Sequence, residues 1–248
     1  MQLKFLSKIL EKISHLKRPV LVSVILLALA ASGLSAFFAR DYFKLKLFEP
    51  KIKANQVWSQ LYNDAKEGDK MLDGKEDNFE YYLAAGLNWK SLGDQTGEAI
   101  FYKKSLKIYE QAIYKFGSKA YIAYLNAANV ARALKKFELA NKYYDMAIEI
   151  NFGEAGTYMT KAEFMRYDLK SPHEEIAAFY NLGLKRLIGQ EYIRLLTEYA
   201  SYLQTAKYYE EAINAYKILL LIFPNHEPYL DLIKTLEEQL NEGQKNGM

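Results

Sequence analysis

The residues able to do chemistry are few, and most fall at the ends of predicted helices. The chain has three histidines, His15, His173 and His226, and none stands at a metal-binding spacing. It has no cysteine, which removes disulfides, thiol catalysis and cysteine-held metal. No nucleophile elbow, phosphate-binding glycine loop or zinc-protease helix motif occurs. The acid pairs Glu174-Glu175 and Glu210-Glu211 begin helices, where the helix dipole favours negative charge. What is left is an acidic stretch from Asp69 to Glu80, and its chemistry would be the binding of a hard cation by oxygen.

That stretch lies between two predicted helices and resembles an EF-hand calcium loop. The resemblance implies Asp69, Asp73, Asp77 and Glu80 as ligands around a turn at Gly74. Met71 sits where such a loop has an oxygen, Glu76 sits where it has a hydrophobe, and no second hand accompanies it. The other reading is an acidic turn in which Asp77 or Asn78 caps the next helix. Neither reading is catalytic. A helical-superhelix enzyme acting on an envelope glycan would need a paired-carboxylate cleft. None is evident, so the expectation is a non-enzyme without a cofactor.

The elements that would position these residues follow one spacing. Steps of 3, 4 and 3 link Tyr102/Ser105/Tyr109/Ala112, Phe137/Ala140/Tyr144/Ala147, His173/Ile176/Tyr180/Gly183 and Tyr209/Ala212/Tyr216/Leu219. Such steps put all four residues on one helix face. Counted from the second member, the copies recur at intervals of 35, 36 and 36 residues. A fixed period in the mid-thirties marks a stack of helical units, each unable to bury its apolar face alone. A partner helix is expected before each copy, over Phe79–Trp89, Ala120–Leu134, Thr157–Tyr167 and Glu191–Gln204. Ser171-Pro172-His173-Glu174 reads as a capping box with Pro at the first helical position. Pro224 closes the last unit.

On these residues the chain resembles the tetratricopeptide repeat superfamily. In the second unit, Tyr124, Ala127 and Ala128 fill the first-helix slots, and Ala140, Tyr144 and Ala147 fill those of the second helix. The fourth unit is similar, with Leu196, Ala200, Leu203, Ala212, Tyr216 and Pro224. The third carries two extra residues near Ser171-Pro172 and has Gly183 in a small-residue slot. The first has a second helix about two turns too long. The match spans about 170 of the 248 residues. It implies an all-α, right-handed superhelix of helix-turn-helix units.

In that family the first helices line a concave groove that holds a protein or peptide. Carried over, the groove face is Leu125, Asn129 and Arg132, then Met159, Glu163, Arg166 and Tyr167, then Arg194, Ser201 and Gln204. The two-carboxylate clamp of chaperone-binding members is not evident, because Leu83 and Leu87 occupy slots that would need polar residues. A partner would be held by backbone hydrogen bonds and a carboxylate. Self-association is the other partnership considered.

From Pro19 to Ala39 no residue is charged. About 20 apolar helical residues span a hydrocarbon core of ~30 Å, so a single transmembrane helix is expected there, contacting the lipid bilayer. Its rival is a signal peptide cleaved after Ala28-Leu29-Ala30, which would leave a secreted solenoid. Five basic residues flank each side, so the positive-inside count ties. A basic leader before a single span favours the N-terminus in the cytoplasm and the repeats outside it. Residues 3 to 16 are amphipathic and could lie on an anionic membrane face.

The net charge of +3 divides unevenly: residues 1–48 hold eight Lys/Arg against two Asp/Glu, and the remainder hold 25 against 28. The basicity therefore belongs to the membrane flanks, and the absence of a basic stripe argues against nucleic acid. The expected organisation is a leader (1–18), the span (19–39), a juxtamembrane linker with a capping helix (40–78), about four repeats (79–226), and a C-terminal cap and tail (227–248).

Overall fold

The computed structural model describes residues 43–72, 78–117 and 120–246. The leader, the span expected at 19–39, and Asp73, Gly74 and Asp77 of the acidic stretch lie outside the described residues. Among the described residues the chain is all-α, and no helix is long and apolar enough to cross a membrane.

Two compact units divide the chain at Gln60. In the first, residues 43–54 are helical. Asn55 breaks the helix and starts the next one, because its Oδ1 accepts the backbone N–H of Trp58 at 3.1 Å. Phe48 and Trp58 stack at 6.0 Å beside that break.

The helix α1 (Gln56–Leu72) runs through the division. The rest of the second unit is a run of helical hairpins, α2 (Phe79–Thr96), α3 (Ala99–Phe116), α4 (Tyr121–Ala133), α5 (Phe137–Ile150), α6 (Ala155–Phe164), α7 (His173–Arg186), α8 (Gly189–Thr205), α9 (Tyr209–Ile222) and α10 (Glu227–Asn246). Each packs chiefly on its neighbours in the chain, and α8 also packs on α6. The expected pairing thus appears as α2/α3, α4/α5, α6/α7 and α8/α9, with α10 laid on α9. Asn78 begins α2, its Oδ1 accepting the Glu80 N–H at 2.9 Å.

The second helices carry the 3-4-3 stripes, and their aromatic members are the core. Tyr109 and Tyr144 are fully buried, and Tyr180 and Tyr216 are nearly so. Small residues let the helices approach closely. At Gly86 of α2, an added Cβ would lie 2.4 Å from the Tyr109 ring. At Gly183 of α7, it would lie 2.5 Å from Leu195 and 2.9 Å from Tyr158. Gly183 is therefore a contact point between helices, and the helix pays for the missing side chain with about 1 kcal/mol of propensity.

The turns repeat as well. After α4, Lys135 donates to the Arg132 carbonyl and Lys136 to the Ala131 carbonyl. After α8, Lys207 and Tyr208 make the same pair of bonds to Gln204 and Leu203. Lys135 and Lys207 both hold left-handed backbone, with φ of 57° and 65°. Glycine normally occupies that position. Lys207→Gly is expected to stabilise the protein by about 1 kcal/mol through relief of the Cβ clash, read as a rise in urea midpoint at unchanged slope.

The third hairpin closes differently. Its surplus residues do not form a loop. They widen the end of α6 into a π-helical turn, Met165–Leu169, closed by Lys170 and Ser171 N–H groups donating to the Met165 carbonyl. The expected capping box at Ser171 is not formed. Pro172 is the N-cap residue, its carbonyl accepts the Ile176 N–H, and no side chain caps the helix. Proline's fixed φ suits that entry, and Glu174 and Glu175 meet the dipole without a box.

Candidate partner-binding surface

Of the expected groove residues, Arg132 on α4 and Glu163 on α6 are brought together beside the widened turn. Arg132 on α4 reaches Asp168 on the π turn of the next hairpin, 36 residues on. Arg132 Nε donates to Asp168 Oδ2 at 2.6 Å, and its Nη2 donates to Glu163 Oε1 at 3.1 Å. Partial burial works against the Arg132 charge, but the Glu163 and Asp168 hydrogen bonds outweigh it and hold its pKa above the ordinary value. Arg132 is thus neutralised by its own chain.

Arg166 is arranged otherwise. Its guanidinium lies 4.9 Å from the centroid of the Tyr167 ring and 5.3 Å from that of Tyr202. Among the described residues no carboxylate comes within ion-pair distance of it. Tyr202 is buried on α8, whereas Tyr167 is 51% exposed. A planar cation set on aromatic faces keeps its fork pre-organised and weakly hydrated, ready for a carboxylate or phosphate.

Tyr202 is itself fixed from behind. Its hydroxyl lies 3.1 Å from His173 Nδ1, and the His173 ring stacks on Tyr208 at 3.4 Å. His173 Nε2 lies 3.2 Å from Glu211. Tyr180 and Tyr199 complete the stack around Tyr202. His173 therefore does more than begin a helix. It ties α7 to α8 and α9 and holds the ring that carries Arg166.

The remaining expected groove residues divide. Ser201 is exposed. Arg194 pairs with Glu154 at 3.7 Å and Glu191 at 3.8 Å. Asn129 and Gln204 are struts, since their side-chain oxygens accept the Tyr144 and Tyr216 hydroxyls at 2.6 and 2.9 Å. Leu125 packs on the cluster of Ala128, Ala131, Tyr144 and Phe164, and Met159 packs on the larger core cluster. Asp168 and Tyr202 escaped the sequence reading.

The strut role predicts a contrast. Tyr144→Phe removes the bond to Asn129 and is expected to cost about 1 kcal/mol. Tyr109 fills the equivalent place one unit earlier, but among the described residues its buried hydroxyl has no hydrogen-bond partner. Tyr109→Phe should be neutral or slightly stabilising, because removing an unpaired buried hydroxyl relieves a desolvation cost. Chemical denaturation of the two variants separates these outcomes.

The acidic stretch meets a different fate at its described ends. Asp69 lies in the last turn of α1, and its Oδ1 accepts the Trp89 indole N–H at 2.7 Å. Trp89 is fully buried, stacked on Phe101 at 5.9 Å, with Lys104 Nζ 4.1 Å over its ring. Asp69 thus anchors α1 to α2. Among the described residues no three His, Asp or Glu side chains gather in a metal-holding group.

Comparison with known proteins adds no relative: no protein-family model matches the chain, and no curated protein matches it.

Proposed function

We propose that this chain is a membrane-anchored adaptor, with its hairpins stacked as a tetratricopeptide-like right-handed solenoid. Residues 19–39 anchor it in the bilayer, the N-terminus faces the cytoplasm and the repeats lie outside. It holds a protein partner against the first helices. The 35-to-36-residue period, the matched Lys135 and Lys207 turns and the Gly86 and Gly183 contacts support the stacked reading.

The observation that carries the function is Arg166. Among the described residues, Arg132 and Arg194 on this surface pair with carboxylates of the chain, while Arg166 has no carboxylate partner and is set between two tyrosine rings. An acidic side chain or C-terminal carboxylate of an extended segment would complete it. Breaking such a charge pair typically costs 2–5 kcal/mol. Arg166→Glu should therefore reduce partner recovery from native membranes roughly tenfold or more, with helical content and melting unchanged. Undiminished recovery from both Arg166→Glu and Tyr167→Ala would overturn the assignment.

A further inference from the structure

Helix α9 is apolar on two sides. Ala212, Ile213, Ala215, Tyr216 and Leu219 face the core, yet Ile218, Leu221 and Ile222 are exposed at 42%, 82% and 41%. A surface helix normally turns polar residues outward. The repeat does not demand this exception, because the positions one period upstream on α7 are Leu182, Lys185 and Arg186. Ile188, just after α7, is also exposed, as is Phe223, just after α9.

The two chain segments that carry this patch have charge of one sign. Residues 176–190 and 212–226 contain no Asp or Glu, while they hold Lys185, Arg186 and Lys217. Lys185 and Ile218 line the same cleft between α7 and α9, which sets one cation of these segments beside one of the exposed aliphatic side chains. Glu211 borders that cleft but is engaged by His173, and Lys217 is engaged by Glu237. Lys185 and Arg186 have no ion-pair partner among the described residues. Exposed aliphatic side chains on segments that also carry the unpaired Lys185 and Arg186 have the composition of an interfacial membrane contact.

We infer that the Ile218/Leu221/Ile222 face docks on an anionic bilayer surface. Its apolar side chains enter the boundary below the headgroups, and Lys185 and Arg186 meet lipid phosphates. A second copy fits this face less well, since two-fold pairing would bring the unpaired Lys185 and Arg186 of both copies to one interface. The contact is separate from the Arg166 surface and from residues 19–39, and it would hold the repeats against the membrane as well as anchor them.

The lack of cysteine makes a direct test available. Full-length Leu221→Cys and Ile188→Cys proteins, each carrying an NBD fluorophore, are reconstituted in nanodiscs of phosphatidylcholine with or without phosphatidylglycerol. Spin-labelled lipids should quench both labels in the anionic discs, and quench them little in the neutral ones. A label on Lys142→Cys, an exposed position of α5, should stay unquenched in both. Lys185→Ala combined with Arg186→Ala should shift the docked-to-undocked ratio roughly thirtyfold toward undocked. Unquenched labels at 221 and 188 in anionic discs would overturn the proposal. So would a bis-maleimide dimer formed by Leu221→Cys without quenching, which would assign the face to a second copy.

Discussion

Gly183→Leu should lower the unfolding free energy by about 3 kcal/mol, at the upper end of overpacking effects. Gly183 is where α7 crosses α6 and α8, and even a single added carbon would meet Leu195 at 2.5 Å and Tyr158 at 2.9 Å. Both neighbours are fully buried, so neither can swing into solvent. The helices must separate, and Tyr180 loses its packing with them. The better helix propensity of leucine returns less than about 1 kcal/mol. Gly153→Leu is the matched control, since a Cβ there meets only Asn151 Oδ1 at 3.8 Å. Urea unfolding should show a large fall in midpoint for the first variant and little change for the second. Equal midpoints would mean that α7 does not pack on α6 and α8 as described.

Alkaline pH should unfold the protein, through tyrosines. Burial pushes the phenols of Tyr109, Tyr144 and Tyr180 up, with Tyr144 reaching about 12 although Arg132 partly offsets the rise. A free tyrosine in the unfolded chain ionises near pH 10. Below pH 10 both states keep the proton, and the stability these groups contribute is fully present. Above pH 10 the unfolded chain loses protons that the folded chain retains, so stability falls until the folded pKa is passed. Each such phenol removes up to about 1.4 kcal/mol per pH unit. Three acting together would exceed the usual stability of a domain within about two to three units. The melting temperature should be level from pH 7 to 9 and drop steeply above 10. Tyr144→Phe should flatten part of that slope. Phenol absorbance titrating near pH 10 with the helices intact would refute the buried-tyrosine core.

Those tyrosines were the part of the fold most legible in the sequence. Side chains stepped by 3 and 4 share a helix face whatever surrounds them, so Tyr109, Tyr144, Tyr180 and Tyr216 read as core at once. Hairpin pairing followed from the period. The third hairpin was less legible, because two surplus residues can enter a loop or a helix with equal economy of sequence. The chain takes the second course, in the π turn at Met165–Leu169. The surface itself was half legible. Slots in a repeat identify which residues face outward, but a slot does not say whether its occupant is already engaged. Arg132, Asn129 and Gln204 are engaged by Asp168, Tyr144 and Tyr216, and only side-chain geometry separates them from Arg166. Asp69 fits a calcium-ligand slot on the page, yet it accepts a hydrogen bond from Trp89, twenty residues away.

A photo-crosslinking residue at Tyr167, incorporated in the native cell, tests the adaptor reading most directly. Tyr167 is exposed and lies against Arg166. Lys142 on α5, also exposed, serves as the control position. The account predicts a discrete crosslinked protein from position 167 that is absent from position 142 and disappears in the Arg166→Glu background. No crosslink from 167, or the same product from both positions, would contradict it.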